Sequence, residues 1–359
     1  MRYGRPIATV SLVASLISVG CICAQPDAAA TGDARKSGVV RIGFSMDTLK
    51  EERWQRDRDL FVARAQELGA EVLVQAANGD DALQTAQAEN LLTQGVDVLV
   101  VAPHNAEVAA SIVDSAKRQG VPVLSYDRLI RNSDVDLYVS FDNVRVGEAQ
   151  AKYLLDRAPR GNYVLIGGSP TDNNARMFRA GQMNVLQPAI DRGDIRIAAD
   201  QWAREWLASE ALKHTENALT QTRNDIVAVV ASNDGVAGGA VQALGEQSLA
   251  GKVFVSGQDA ELAALQRIVG GTQSMTVYKP VARLALRAAE AAVSLARGEQ
   301  IATPATVNNG KKDVPSVLLD SITVDRNNVV DTVIKDGYLR MEDVYRNVPR
   351  TEWPPTPRG

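Results

Sequence analysis

The sequence predicts an α/β protein of two similar units, each built on a doubly wound parallel sheet with helices on both faces. Short apolar runs typical of buried strands alternate with longer stretches of helical periodicity, and the alternation occurs twice along the chain. Glycines close several of the predicted helices. The chain has 359 residues, too many for one ordinary domain and suited to two. We therefore expect two Rossmann-like domains.

The first unit begins with the apolar run from Val39 to Phe44, which predicts a buried strand. A helical pattern follows it to Leu68 and ends at Gly69. Further strands are predicted at 71–75, 96–101 and 121–125, separated by helices that end near Gln94 and Gln119.

The second unit repeats this order. Strands are predicted at 163–166, 195–198, 226–231, 253–256 and 274–278, and helices at 175–185, 205–219, 236–244 and 282–296. We predict a first lobe of residues 39–141 and 279–304, a second lobe of residues 142–278 and 305–340, and a disordered tail over 341–359. The lobes would be joined by a three-segment hinge at 140–143, 278–280 and 303–307.

The N-terminus has the layout of an export signal. Arg2 and Arg5 precede an apolar stretch over 7–20 that is too short to span a bilayer as a helix. We predict a signal peptide over 1–24, followed by a flexible, polar lead-in over 25–38. The chain is therefore expected to be exported from the cytoplasm.

Two processing routes remain open at this leader. Cleavage after Ala24 would remove both cysteines, whereas the segment ending at Cys21 is weakly similar to a lipoprotein box and would carry a lipid anchor. In either case we predict no disulfide in the folded part, because Cys21 and Cys23 both lie in the leader.

Composition argues against several classes of function. The net charge of −4 gives no sign of a nucleic-acid partner, which would favour a basic surface. Two histidines and two cysteines argue against a Cys/His metal site or a Ser–His–Asp triad. We therefore expect a monomeric binding protein, with neither catalysis nor a cofactor.

Polar clusters occur where the predicted strands end. Ligands of open parallel sheets bind outside the carboxyl ends of the strands, so clusters from both units would meet in one cleft. The clusters are Arg53-Trp54, Asp127-Arg128, Asp172 to Asn174, Asn233-Asp234 and Gln258-Asp259.

These residue types suit a ring covered with hydroxyls. The Arg53 fork can chelate two neighbouring hydroxyls, the Trp54 indole can cover the C–H face of a ring, and carboxylates accept hydroxyl bonds. Simpler readings stand beside these: Trp54 can be a core residue, Asp127 and Arg128 a surface ion pair, and Asp172 a helix cap.

Two further positions complete the candidate set. Trp202 and Trp206 lie four residues apart, and one of them can form a second stacking wall while the other joins the core. Lys279 falls at a predicted crossover, where a solvated hinge charge is an equally good reading.

Several longer stretches make the chain similar to a known family, the type I periplasmic binding proteins of sugar ABC importers, and within it to those that bind D-xylose. The similarity runs from about Val40 to Tyr338. It is carried by residues 52–55, 75–79, 95–100, 140–143, 167–175, 178–183, 231–234, 257–260, 275–280 and 308–316.

This resemblance implies a ligand set and a mechanism. It implies closure of the two lobes over D-xylose, followed by delivery to an ABC permease. The ligand-binding residues it implies are Arg53, Trp54, Asp127, Arg128, Asn174, Trp206, Asn233, Asp259 and Lys279. The alternatives are another monosaccharide (glucose, ribose or arabinose) and, less favoured, a secreted glycosidase.

Overall fold

The computed structural model describes residues 38–355, and strands and helices alternate through them as predicted. The first elements are β1 (Val40–Met46), α1 (Glu52–Glu67), β2 (Ala70–Ala76), α2 (Asp81–Thr93), β3 (Val98–Ala102), α3 (Ala110–Arg118), β4 (Val123–Tyr126) and β5 (Leu137–Phe141). Then follow α4 (Asn143–Leu155), β6 (Gly161–Gly167), α5 (Asn173–Asp191), β7 (Ile195–Trp202), α6 (Ala208–Thr222), β8 (Ala228–Ala231), α7 (Asp234–Glu246), β9 (Phe254–Val255), α8 (Leu262–Val269) and β10 (Thr276–Tyr278). The last are α9 (Val281–Ala296), β11 (Ala305–Asn308), β12 (Asp313–Leu319), β13 (Ile322–Val324) and α10 (Met341–Val344).

The first lobe is built on a seven-stranded sheet in the order β11-β12-β5-β4-β3-β1-β2. Its neighbouring strands are parallel, except for the antiparallel pair β11 and β12. On one face Phe61 of α1 and Leu284 of α9 share a core with Phe44, and on the other Leu91 of α2 packs with Leu99. Burial on both faces explains why these strands are continuous apolar runs.

The second lobe has a four-stranded parallel sheet in the order β7-β6-β8-β9. Helices α6 and α7 cover one face, where Ala211 and Val236 are buried, and α4 and α5 cover the other, where Leu154 and Leu186 are buried. The antiparallel pair β10 and β13 adds a small second sheet. Two sheets, each covered on both faces, confirm the predicted fold class.

Residues 305–319 lie in a different lobe from the one predicted. Strands β11 and β12 complete the sheet of the first lobe, where β12 pairs with β5. The third hinge segment, the third place where the chain passes between the lobes, therefore lies at Asp320–Ser321 and not over 303–307. The Asp142 amide donates to the Leu319 carbonyl at 3.1 Å, so the first and third hinge segments are adjacent. The alternation of elements could not reveal this, because a strand that comes late in the chain can extend whichever sheet offers a free edge.

The tail also differs from its prediction. Met341, Val344 and Tyr345 are buried beside Val324 of β13 and Leu265 of α8, so residues 341–345 belong to the second lobe rather than to a disordered tail over 341–359. Apolar side chains in this segment explain why it packs despite the prolines that follow. Residues 356–359, the predicted signal peptide over 1–24 and all but the last residue of the lead-in lie outside the described residues.

Candidate functional site

A cleft between the two lobes brings all nine candidate side chains together. It encloses about 360 Å³, a volume that includes its opening to solvent. The residues that line it are Glu51, Arg53, Trp54, Asp127, Arg128, Asp172, Asn174, Phe178, Trp206, Asn233, Gln258, Asp259 and Lys279. Most of them follow the carboxyl end of a strand, as the sheet topology requires.

Arg53 is the centre of a buried charge cluster at the start of α1. Its guanidinium lies 3.1 Å from Asp57, one helical turn further on, and 2.9 Å from Asp127. It also lies 3.6 Å from Asp259 of the second lobe. Burial lowers the pKa of Arg53, but these carboxylates raise it well above its ordinary value. The donors are therefore charged and held in place before any ligand arrives.

Asp127 follows β4 with a φ of +59°, a conformation that is uncommon outside glycine. Besides its bond to Arg53, its carboxylate accepts a hydrogen bond at 3.2 Å from the Asn174 amide, which also donates to the Asp127 carbonyl at 3.1 Å. Burial raises the pKa of Asp127, but the charges of Arg53 and Lys279 bring it down to about 2. The first and second lobes are thus directly bonded at this point.

Arg128 makes a second charged link between the lobes. Its Nη1 donates to Asp47 at 2.6 Å, and its Nε lies 2.8 Å from Asp172, just before α5. Burial raises the pKa of Asp47, but Arg128 and His104 bring it to about 2. For Asp172 burial outweighs the attraction of Arg128, so its pKa is raised. The guanidinium lies between one carboxylate of each lobe.

Lys279 and Asn233 are also fixed by their elements. Lys279 follows β10, is only 2% exposed, and lies 3.1 Å from Asp259. This contact favours the ligand-site reading over a solvated hinge charge. Asn233 caps α7, because its side-chain oxygen accepts the Val236 amide at 2.8 Å. The NH₂ group of Asn233 is therefore the part that can donate to a ligand.

Trp54 forms the wall on the side of the first lobe. It is 4% exposed and belongs to the core, and it also lines the cleft. The guanidinium carbons of Arg53 and Arg128 lie 4.4 and 5.1 Å from the centre of its ring. Cations over the indole face hold the ring and the two donors as one unit.

Trp206 forms the opposite wall. It is half-buried, has a φ of +56°, and packs edge-on against Phe178 with ring centres 6.4 Å apart. A Cβ on Gly168 would come within 1.9 Å of its ring, so the glycine makes room for the indole. Trp202 does not line the cleft; its ring lies over Gly167.

The sequence did not place four of the lining residues in the candidate set. Asp172 and Gln258 stood in the strand-end clusters, so position alone could have added them. Phe178 and Glu51 carried no polar strand-end signal. Four buried atoms in the lining have no hydrogen-bond partner within residues 38–355, namely Glu51 Oε2, Trp206 Nε1, Gln258 Oε1 and Asp259 Oδ1, of which the last forms an ion pair with Lys279. Buried polar atoms without a partner are available to a ligand or to a side chain of the opposite lobe.

Within residues 38–355, no group of three or more His, Cys, Asp or Glu side chains is arranged to hold a metal ion. Among the helices of the same residues, none combines the length and the apolar character needed to cross a membrane.

Comparison with known proteins places the chain in a family. Residues 42–300 match the model of the periplasmic binding protein domain. The chain is 56% identical over 314 residues to the D-xylose-binding periplasmic protein of Escherichia coli, a match that covers 88% of this chain and 95% of that protein. It is also 56% identical over 306 residues to the protein of the same name from Haemophilus influenzae, covering 85% and 92% of the two chains.

A solved structure agrees with this placement. The carbohydrate transporter solute-binding protein of Chloroflexus aurantiacus, in complex with D-glucose, superposes with a TM-score of 0.80 at 35% identity, covering 86% of this chain and 98% of that one. With its two-lobed fold and the cleft between the lobes, this chain belongs to the periplasmic binding protein family, and it is similar over most of its length to D-xylose-binding members.

Proposed function

We propose that this protein binds D-xylose between its lobes in the periplasm and delivers it to an ABC permease. The observation that carries the proposal is the convergence of all nine candidate side chains, from both lobes, on one cleft. Identity of 56% to two D-xylose-binding proteins supports the choice of sugar. In this proposal the nine residues are the ligand-binding set.

The charges of the cleft favour a neutral ligand. Its carboxylates and cations are largely paired with one another, so an anionic or cationic ligand would break existing ion pairs. The pairs that occupy the lining are Arg53–Asp127, Arg128–Asp172 and Lys279–Asp259. Hydroxyls both donate and accept, so they can join these groups without changing the charge balance. Trp54 and Trp206 would cover the two C–H faces of the sugar ring.

Closure of the lobes follows from where the contacts lie. A sugar shifts the equilibrium between open and closed forms only if it binds the closed form better, and a ligand touching both lobes does so. Arg53 and Trp54 belong to the first lobe, and Asn174 and Asp259 to the second. The closed protein would then be the form that docks on the permease.

Calorimetric titration with D-xylose tests the proposal. Several hydrogen bonds to charged groups, less the costs of association, predict micromolar or tighter binding, about −8 kcal/mol. The same titration with D-ribose, L-arabinose and D-glucose ranks the ligands. D-glucose is the second candidate because the Chloroflexus structure holds it. Absence of measurable binding to any of these sugars would contradict the proposal.

We also propose that the protein is a carrier and not an enzyme. The relatives named above are binding proteins. In the cleft, Asp127, Asp172 and Asp259 are each held by a cation, which leaves them poorly placed to transfer protons to a glycosidic oxygen. Incubation with an aryl-xyloside should release no phenol, and sustained turnover would contradict this assignment.

A further inference from the structure

Two buried polar atoms, one from each lobe, belong to residues that line the cleft. Oε2 of Glu51, in the first lobe, and Nε1 of Trp206, in the second, have no hydrogen-bond partner in the described part of the chain. Both residues line the main cleft, and both also line the two neighbouring cavities that open between the lobes. One atom is an acceptor and the other a donor, so they are chemically complementary.

Glu51 does not perform the local role that its position suggests. It is the N-cap residue of α1, but its side chain accepts no bond from the helix amides. In contrast, the N-cap residues Asp80, Asp172 and Asn233 each accept one from α2, α5 and α7. Its other oxygen, Oε1, lies 3.4 Å from Lys50. The carboxylate is therefore turned away from its helix and towards the gap between the lobes.

The charge of Glu51 acts on both lobes. Burial lowers the pKa of Arg128, whereas the carboxylates of Asp172, Asp47 and, more weakly, Glu51 raise it. The charge of Glu51 also adds, after burial and Asp234, to the repulsion that raises the pKa of Glu261 in the second lobe. A donor from the second lobe would offset this repulsion as the lobes close.

The geometry of an indole excludes one partner for Trp206 Nε1. Its N–H lies in the plane of the ring, whereas a sugar stacked on the ring lies above that plane. The stacked sugar therefore cannot accept this bond with good alignment, since hydrogen bonds weaken steeply away from linearity. The acceptor has to lie beside the ring, at the mouth of the cleft.

From these observations we propose that Glu51 is a positioning residue for Trp206: in the sugar-bound protein its carboxylate accepts the indole N–H and holds the ring flat on the ligand. This inference rests on the proposed function, because it needs Trp206 to stack on a bound sugar. The bond would link the lobes directly, so it would form around the bound sugar and break when the cleft opens to release it.

A double-mutant cycle on sugar affinity provides the first test. Trp206→Phe keeps an aromatic face but removes the N–H, and Glu51→Ala removes the acceptor. Each change alone should weaken sugar binding about tenfold, and the two together should cost little more than one, because both remove the same bond. Full additivity of the two losses would overturn the proposal.

The indole N–H resonance of Trp206 provides a second test, because its position would not depend on Glu51 if Glu51 had only a structural role. In nitrogen-15 spectra, assigned with Trp206→Phe, this signal should shift downfield on addition of sugar in the unmodified protein. Glu51→Gln, which retains a carbonyl acceptor, should preserve most of the shift, and Glu51→Ala should abolish it. A resonance that sugar moves equally in the unmodified protein and in Glu51→Ala would contradict the assignment.

A neighbouring carboxylate serves as the matched control. Glu52 is already paired with Arg56 at 3.1 Å, so Glu52→Ala should change neither the affinity nor the Trp206 signal. The control also separates two failures. If the unmodified protein binds no sugar, the proposed function fails. If it binds sugar and Glu51→Ala behaves like Glu52→Ala, only the positioning role fails.

Discussion

The two walls of the cleft differ in how complete they are without a ligand. On the first lobe Arg53, Asp127 and Arg128 are each held by short ion pairs. On the second lobe Trp206 and Gln258 keep a buried polar atom without a partner within residues 38–355. Apart from Glu51 Oε2, the first wall is therefore preorganised, whereas the second reaches full hydrogen bonding only in the sugar-bound protein.

Positive φ occurs at one residue of the first wall, Asp127, and in two consecutive pairs on the second lobe. Glu205 and Trp206 are consecutive residues with positive φ on the second lobe, and Asp259 and Ala260 form another such pair. Positive φ is costly for residues other than glycine and persists where the surroundings enforce it, often at functional sites. We therefore expect the sugar to settle first on the first lobe and the second lobe to adjust on closure.

The largest effect should come from breaking the first wall. Arg53→Ala leaves Asp57 and Asp127 buried without their cation, which should lower the free energy of unfolding by about 3–5 kcal/mol and abolish sugar binding. Urea denaturation measures the loss. Arg58→Ala is the control, because its exposed pair with Asp59 should be worth no more than about 1 kcal/mol. Equal losses of unfolding free energy in Arg53→Ala and Arg58→Ala would refute the claim that the first wall is preorganised by its ion pairs.

Substituting each of the two tryptophans by alanine compares the two walls directly. Trp54→Ala removes a core side chain and should cost about 3–5 kcal/mol of stability as well as most of the affinity. Trp206→Ala, at a half-buried and strained position, should reduce affinity by a similar factor but cost under about 1.5 kcal/mol of stability. Calorimetry and thermal unfolding together separate the two. Unchanged affinity in Trp54→Ala would refute its stacking role.

A smaller effect is expected from the glycine under the second wall. Gly168→Ala places a methyl group 1.9 Å from the Trp206 ring, so the indole must move and affinity should fall about tenfold. Gly245→Ala is the control, since a Cβ there has no neighbour within 4 Å among the described residues and the position is helical. It should leave affinity unchanged and stabilise slightly. Unchanged sugar affinity in Gly168→Ala would show that binding does not depend on the position of the Trp206 ring.

The smallest expected effect is a difference in pH dependence. Burial and the nearby Asp234 raise the pKa of Glu261, so the folded protein holds a proton that the unfolded chain releases above about pH 4.3. The contribution of Glu261 to stability should therefore decrease as pH rises from there towards 8. Glu261→Gln should flatten this slope, and the exposed Glu246→Gln should not.

The first wall should respond in the opposite direction. The pKa values of Asp127 and Asp47 are depressed to about 2, so their contribution to stability is present above about pH 3.9 and is lost as pH falls towards 2. Unfolding free energies measured from pH 2 to 8 would test both slopes. An unchanged slope in Glu261→Gln would contradict the assignment to that residue.

How much the sequence could predict depended on the kind of signal. The strand-end rule brought together residues as distant as Arg53 and Asp259, because parallel strands fix where side chains converge. It could not predict that β12 joins the first sheet, since the choice of edge depends on tertiary contacts. Nor could it predict the role proposed for Glu51, because the sequence does not show that this N-cap side chain leaves the helix amides unbonded. Interactions between distant segments, rather than local pattern, account for each of these gaps.

The order in which the chain supplies the first lobe constrains how the protein can fold. Strand β12 pairs with β5 across some 180 positions of sequence, and α9 covers the opposite end of the chain at β1. A nascent chain that stops before β12 lacks an inner strand of its first domain. Contacts between such remote segments are expected to make folding slow. The native first lobe can therefore form only after β12 has been made, long after its strands β1 to β5.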